Sequence, residues 1–287
     1  MTEPFGLLAV LKPPGMTAHD VVSVVRRVAG TRRVGHGGTL DPAAAGVTLV
    51  AVGKATRLLG YVQDDKAYRA EVAFGLATDT GDLDGHVIAE ADAGGVTASA
   101  LDAALEGFRG TITQRPPMAS AVHVGGRRLY ELARAGVALA PEEIPTREVT
   151  FHNLVRLEFQ PGPRAVVRLD LACSAGTYIR SLAVDLGQAL GVPACLQFLL
   201  RTRSGPIALA ATQTLEEVAQ QPHWLPLEHW LGHLPVHHAS AEQVADLRLG
   251  RRIAGKLEGR GRVHGPEGHL VAIAEPREGQ LQPVLVL

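Results

Sequence analysis

At 287 residues, 46% of them hydrophobic, the chain is long enough to bury one large core and a smaller one. Its 28 basic and 29 acidic residues leave a net charge of -1, which excludes a protein that coats nucleic acid indiscriminately. Two cysteines, Cys173 and Cys195, with neither a second pair nor a CxxC spacing, exclude a disulfide framework and a zinc site.

The opening MTEPFGLLAVLKPPGM carries Glu3 and prolines where a secretion signal would be apolar, and no stretch anywhere reaches about eighteen uncharged apolar residues. A cytoplasmic protein without a membrane segment is expected. TAHDVVSVVRRVAG pairs Thr17 with Asp20 in a capping box, runs an apolar face through Val21, Val24, Val25 and Val28, and stops at Gly30, which predicts a helix. Arg26, Arg27, Arg32 and Arg33 follow with no acid between Asp20 and Asp41.

VGHGGTLDPAAAG then sets one carboxylate, Asp41, behind a small-residue loop. Gly35, Gly37 and Gly38 let the backbone approach a ligand or take positive φ, and Pro42 fixes the chain after the acid. A held Asp in a cationic setting is expected to stay ionised well below neutrality, which suits a nucleophile or base; an ordinary Asp-Pro turn is the competing reading. The loop lacks the Lys-Ser/Thr ending of a P-loop and the GxGxxG spacing.

The apolar run at 46–53, the alternating AYRAEVAFG and the alternating RAVVRLDLAC (164–173) predict strands. TDTGDLDG (78–85) looks like a calcium loop, but aligning Gly85 with the invariant glycine puts Ala91 where a bidentate Glu belongs, so it is read as a tight polar turn containing Asp82. ASALDAALEGFRG (98–110) predicts a helix. RPPMASAVHVGGRRLYELARAG holds Arg115, Arg127, Arg128 and Arg134 against one Glu131; two basic stretches on a neutral chain fit a bounded polyanion site or ordinary solvated faces.

SAGTYIRSLAVDLGQALG predicts a helix ending at Gly191, with Arg180 in its first turn, where the macrodipole disfavours a cation. An anion should compensate, either a phosphate or a carboxylate such as Asp41 clamped by the guanidinium. Tyr68 and Tyr178, two of four tyrosines, are candidate stacking rings. TLEEVAQQ (214–221) predicts another helix, and from about 240 short apolar pieces separated by Gly and Pro read as a small β-rich domain. Strands and helices are interspersed without a regular βαβ cadence, so the fold class is α+β, with a mixed, mainly antiparallel sheet flanked by helices. The expected domains are 1–235 and 236–287.

In order, LLAVLKPPGMTAHDVV, GHGGTLDPAAAGVTLVAVGKATR, KAYRAEVAFGLATDTGDLDG, RPPMASAVHVGGRRLYELARAG and CSAGTYIRSLAVDLGQALG cover much of residues 7 to 205. With these blocks the sequence resembles the bacterial TruB-type pseudouridine synthases, which modify uridine 55 in the T loop of tRNA. The resemblance implies a pseudouridine-synthase fold with a C-terminal RNA-binding domain of PUA-like type, and an isomerase that flips its target base out of the RNA. It implies Asp41 as the catalytic residue, His36 as filler of the space the flipped nucleotide leaves, and Lys12 with Pro13 as the Lys-Pro pair. It places the stacking tyrosine at Tyr68, the active-site Tyr-x-Arg at Tyr178 and Arg180, a uracil contact at Asp82 and a pocket-lining apolar residue at Leu199. No cofactor and no protein partner is implied, and a monomer acting on tRNA is expected. Ala119, His123, Cys195 and Leu200 depart from the family pattern. A guide-RNA-dependent synthase and a non-catalytic RNA chaperone remain rival readings.

Overall fold

The computed structural model describes residues 5–63, 65–137 and 139–287. The chain opens with β1 (Gly6–Lys12) and α1 (Ala18–Ala29), followed by β2 (Val34–His36) and the wholly buried β3 (Ala45–Val52). Helix α1 forms where its sequence predicts: Thr17 and Asp20 cap each other reciprocally, and Gly30 closes it at φ 62°. Its Val21, Val22 and Val25 are fully buried against β1 and β3, each contributing about 1.5–3 kcal/mol of burial free energy.

A helical stretch, Gly53–Tyr61, leads to β4 (Lys66–Phe74) and to the hairpin of β5 (Leu76–Thr78) and β6 (Val87–Glu90). Then come α2 (Ala98–Glu106) and β7 (Gly110–Gln114), and an insertion made of β8 (His123–Val124), β9 (Arg127–Arg128) and α3 (Leu129–Arg134). β10 (Arg147–Gln160), β11 (Val166–Cys173), α4 (Ile179–Leu190), β12 (Ala194–Ser204), β13 (Ile207–Ala208), α5 (Leu215–Gln220) and α6 (Leu227–Leu231) complete the body.

One sheet organises these elements, in the order β1-β3-β12-β4-β11-β10-β7, with β2 beside β3 and β13 beside β12. Its pairings are antiparallel except β3 with β12, where Leu200 faces Ala45 and Arg201 faces Gly46. At Gly46, φ is 119° and a Cβ would stand 2.2 Å from the Arg201 carbonyl oxygen, so only glycine lets these two strands meet. Helices α2 and α4 close one core over β4, β10, β11 and β12; α1 and α5 close a second over β1 and β3.

Residues from 236 form a separate five-stranded sheet of β14 (Val236–His238), β15 (Ile253–Ala254), β16 (Gly261–His264), β17 (Leu270–Arg277) and β18 (Gln280–Val286). It also holds a helix that the strand-like texture of the sequence conceals, α7 (Ala241–Arg248), started by a capping box between Ser240 and Gln243. Ile273 and Leu285 join the core cluster of Leu7, Leu49 and Trp230, so this sheet packs directly on the back of β1 and β3. Among the described residues, no helix is long and apolar enough to cross a membrane, and no three His, Cys, Asp or Glu gather as a metal site would require.

Candidate active site

Asp41 stands on the loop joining β2 to β3, and three cations from different elements hold that loop. Lys12, at the end of β1 and fully buried, donates from Nζ to the carbonyls of Pro13 (2.9 Å), Met16 (2.5 Å) and Pro42 (3.1 Å). Arg201 on β12, equally buried, donates from Nε to the Val47 carbonyl (2.6 Å) and from its terminal nitrogens to those of Thr39 (3.2 Å) and Gly38 (3.3 Å). Gly38 has φ 101°; Gly35 and Gly37, expected to share that role, instead make room for Leu59.

Arg180 supplies the third hold. It lies in the first turn of α4 with its side chain 5% exposed, and its Nη2 donates to Asp41 Oδ1 (3.1 Å) while Nε stands 3.0 Å from Oδ2. The anion that the helix dipole demands is therefore the carboxylate of Asp41. A second carboxylate shares the guanidinium, with Asp82 Oδ2 3.5 Å from Nε. The remaining donors of Arg180 reach the carbonyls of Thr80 (3.0 Å) and Ala119 (2.9 Å).

The electrostatics correct one expectation. Burial pushes the Asp41 carboxyl above its ordinary value; Arg180 and Lys12 pull it down and Asp82 pushes it up, but desolvation is the largest effect. The cationic neighbourhood thus restrains the rise rather than depressing the group. The same burial brings Lys12 down to about 8, opposed by the charge of Asp41 and reinforced by that of Arg201.

His36, Asp41, Tyr68, Tyr178, Arg180 and Leu199 line one open cavity of about 630 Å³. Tyr68 and Leu199 lie on neighbouring strands, where Ala70 faces Leu199 and Arg201 faces Tyr68. The tyrosine and the leucine are therefore diagonal neighbours on one face. His36 sits at the end of β2; its Nδ1 is buried without a partner and burial lowers its pKa, so the imidazole is neutral at pH 7.

Two of the expected residues lie elsewhere. Lys12 lines no part of the cavity, because its ammonium is buried beneath the loop and engaged with three carbonyls. Asp82 lies behind the Asp41–Arg180 pair, beside a smaller cavity of about 30 Å³ that Asp41 and Leu199 also border. Its Oδ1 accepts from the Thr80 hydroxyl (2.6 Å) and from the Asp84 amide (3.2 Å), which fixes the carboxylate as part of the turn.

The basic stretches divide as well. Arg128 and Arg134 reach the cavity rim beside the Tyr130 ring, at 5.8 and 5.4 Å from its centroid. Arg26, Arg27, Arg32 and Arg33 do not line the cavity. Of the departures from the family pattern, Ala119 meets Arg180 through its backbone, and buried Cys195 has its thiol pushed up to about 11, too high for reactivity at neutral pH. Sequence reasoning missed Arg201 and Thr80. Neither leaves a clear signal in the sequence: Arg201 bonds main-chain carbonyls, and Thr80 has nothing beyond its place in the polar turn.

The N-terminal domain profile of the TruB family pseudouridylate synthases matches residues 26–179, the tRNA pseudouridylate synthase B C-terminal domain matches 180–231, and the tRNA pseudouridine synthase II C-terminal profile matches 234–287. A tRNA pseudouridine synthase B of Symbiobacterium thermophilum is 55% identical over 82% of this chain and 78% of its own length. That of Gloeobacter violaceus is 47% identical over 98% of each. The crystal structure of a Cbf5-Nop10-Gar1 complex contains a chain that superposes with a TM-score of 0.74 at 27% identity, covering 99% of this chain and 84% of that one. With three consecutive domain profiles and full-length relatives in agreement, the chain belongs to the TruB family of pseudouridylate synthases.

Proposed function

We propose that the protein acts on tRNA, turning uridine 55 of the T loop into pseudouridine in the cavity that holds Asp41. The reaction breaks the N1–C1′ bond, rotates the uracil and rejoins it through C5, so it is an isomerisation that balances without an oxidant, reductant or cofactor. The observation that carries this reading is the Asp41 carboxylate, fixed by Arg180 at one side of a cavity with Tyr68 and Leu199 as apolar walls.

The target base is stacked inside the folded T loop, and its extrusion costs a few kcal/mol. Neutral His36 fills the gap the nucleotide leaves, and the rim arginines bind backbone phosphates to offset that cost. Tyr68 stacks on the flipped uracil opposite Leu199, Tyr178 completes the wall and Asp82 fixes the polar turn beneath it. Asp41 either attacks C1′, forming a C1′–O bond as uracil leaves with the N1 electron pair, or removes the C2′ proton to give a glycal as that bond breaks. In both routes its raised pKa makes it the stronger nucleophile or base. Arg180 orients the carboxylate, and Lys12 acts on it only through the loop.

The protein works alone, as a monomer. The test is direct: purified protein and an unmodified T-arm transcript, with nothing added, should yield pseudouridine at the uridine 55 position and none in a transcript carrying cytidine there. Product only in the presence of a guide RNA would point to the guide-dependent class. Refolding of tRNA without product, unaffected by loss of Asp41, would point to a chaperone.

A further inference from the structure

The start of α4 lacks a cap of its own. Tyr178 is the N-cap residue and its side chain makes no capping hydrogen bond, so the first turn that carries Arg180 is open to fraying. The missing support comes from 64 residues away. Gln114, the last residue of β7 and 1% exposed, places its side-chain amide against the Tyr178 backbone: Nε2 donates to the Tyr178 carbonyl (3.0 Å), and Oε1 accepts from the Tyr178 N–H (2.8 Å). Because one backbone group only donates and the other only accepts, the orientation of the amide is determined.

The residues that follow extend this grip. The Arg115 carbonyl accepts from the Ser181 hydroxyl (2.7 Å), Pro116 and Pro117 restrict the backbone, and the Ala119 carbonyl accepts from Arg180 Nη2 (2.9 Å). A single segment, 114–119, thus holds the helix before, at and after Arg180. The same segment leads into the insertion whose Arg128 and Arg134 stand on the cavity rim.

We propose that Gln114 is a positioning residue for the reaction: its amide fixes the start of α4 and through it the guanidinium that orients Asp41. The inference rests on the reading that Asp41 and Arg180 perform the isomerisation. A shift of about 1 Å in a group that must align a reacting atom costs on the order of 100-fold in rate, so a buried amide with no contact to substrate can govern turnover.

Gln114→Met keeps the volume and removes both hydrogen bonds, whereas Gln114→Glu keeps the acceptor for the Tyr178 N–H and loses the donor. With a T-arm transcript under single-turnover conditions, Gln114→Met should slow product formation about 10- to 100-fold with unchanged RNA affinity, and Gln114→Glu, which sets a buried carboxylate oxygen against the Tyr178 carbonyl, should slow it at least as much. Loosening Arg180 also removes its downward pull on Asp41, so the acid limb of the rate profile should move to higher pH. A carboxyl-carbon NMR titration of Asp41 should move the same way. Wild-type rate and profile in Gln114→Met, or a parallel loss of rate and affinity with an unmoved profile, would overturn the proposal. If Gln114→Met does not fold, Gln114→Glu decides by the same measurements. Should the wild-type protein make no pseudouridine, the functional reading fails; the NMR titration still tests whether Gln114 sets the Asp41–Arg180 pair.

Discussion

Arg180 and Arg134 face the same cavity under opposite conditions. The Arg180 side chain is 5% exposed and its donors go to Asp41 and to the carbonyls of Thr80 and Ala119, with Asp82 alongside. Arg134 is exposed on the short helix α3, stacked over Tyr130, and the insertion beneath it has only the small core of Leu129, Leu132 and Ile144. A buried ion must be fully partnered or its desolvation is not offset, so the cavity floor has one geometry. An exposed ion is solvated and contributes little to stability, so the rim is free to adapt to a phosphate backbone. Positional precision lies where water is excluded, and recognition lies where it is not.

The largest effect should come from removing the floor's charge while keeping its shape. Asp41→Asn is expected to bind the T-arm transcript as wild type does and to lose roughly 10⁴-fold in turnover, the order seen when a reacting side chain is removed. Tritium release from C5-labelled uridine measures the turnover and filter binding measures the affinity. Substantial release, or binding that falls along with rate, would erase the distinction between floor and rim.

The sequence made the floor more legible than its supports. The Thr17–Asp20 box and Gly30 predict α1, alternation predicts β4 and β11, and the dipole argument at Arg180 calls for an anion, with Asp41 one candidate beside a phosphate. What was hidden depended on burial or on backbone acceptors. The upward direction of the Asp41 pKa follows from desolvation, which the composition of a loop does not reveal. Arg201 and Gln114 act on main-chain groups, which are the same for every residue type and leave no pattern to recognise. Helix α7 is obscured by the Gly- and Pro-separated apolar pieces around it, although the Ser240–Gln243 box marks its start.

Lys12 tests the floor through pH. Its pKa is about 8 in the folded chain and 10.5 ordinarily, so between those values the unfolded chain holds a proton that the folded chain has shed. This group alone therefore makes stability rise with pH across that window; below pH 8 the ammonium is present in both states and its burial is a constant cost. Urea titrations of wild type and Lys12→Met should diverge between these pH values by roughly 1–3 kcal/mol, and parallel curves would remove Lys12 from the account. Turnover should move the other way. A neutral amine has two hydrogens for three carbonyls, so the loop under Asp41 loosens and the rate should fall above about pH 8.

The smallest effect belongs to the rim. Arg134→Ala removes one exposed cation that packs on Tyr130, so its stability should stay within about 0.5 kcal/mol of wild type. If the side chain neutralises one RNA phosphate, the slope of log affinity against log salt should lessen by about one, and affinity at low salt should fall several-fold. At saturating RNA the single-turnover rate should match wild type, since nothing in the Asp41–Arg180 geometry depends on this arginine. A lost rate at saturation would mean that the insertion must close on its RNA before the floor can act. In that case the 114–119 segment, which joins the insertion to Arg180, is the path by which it does so.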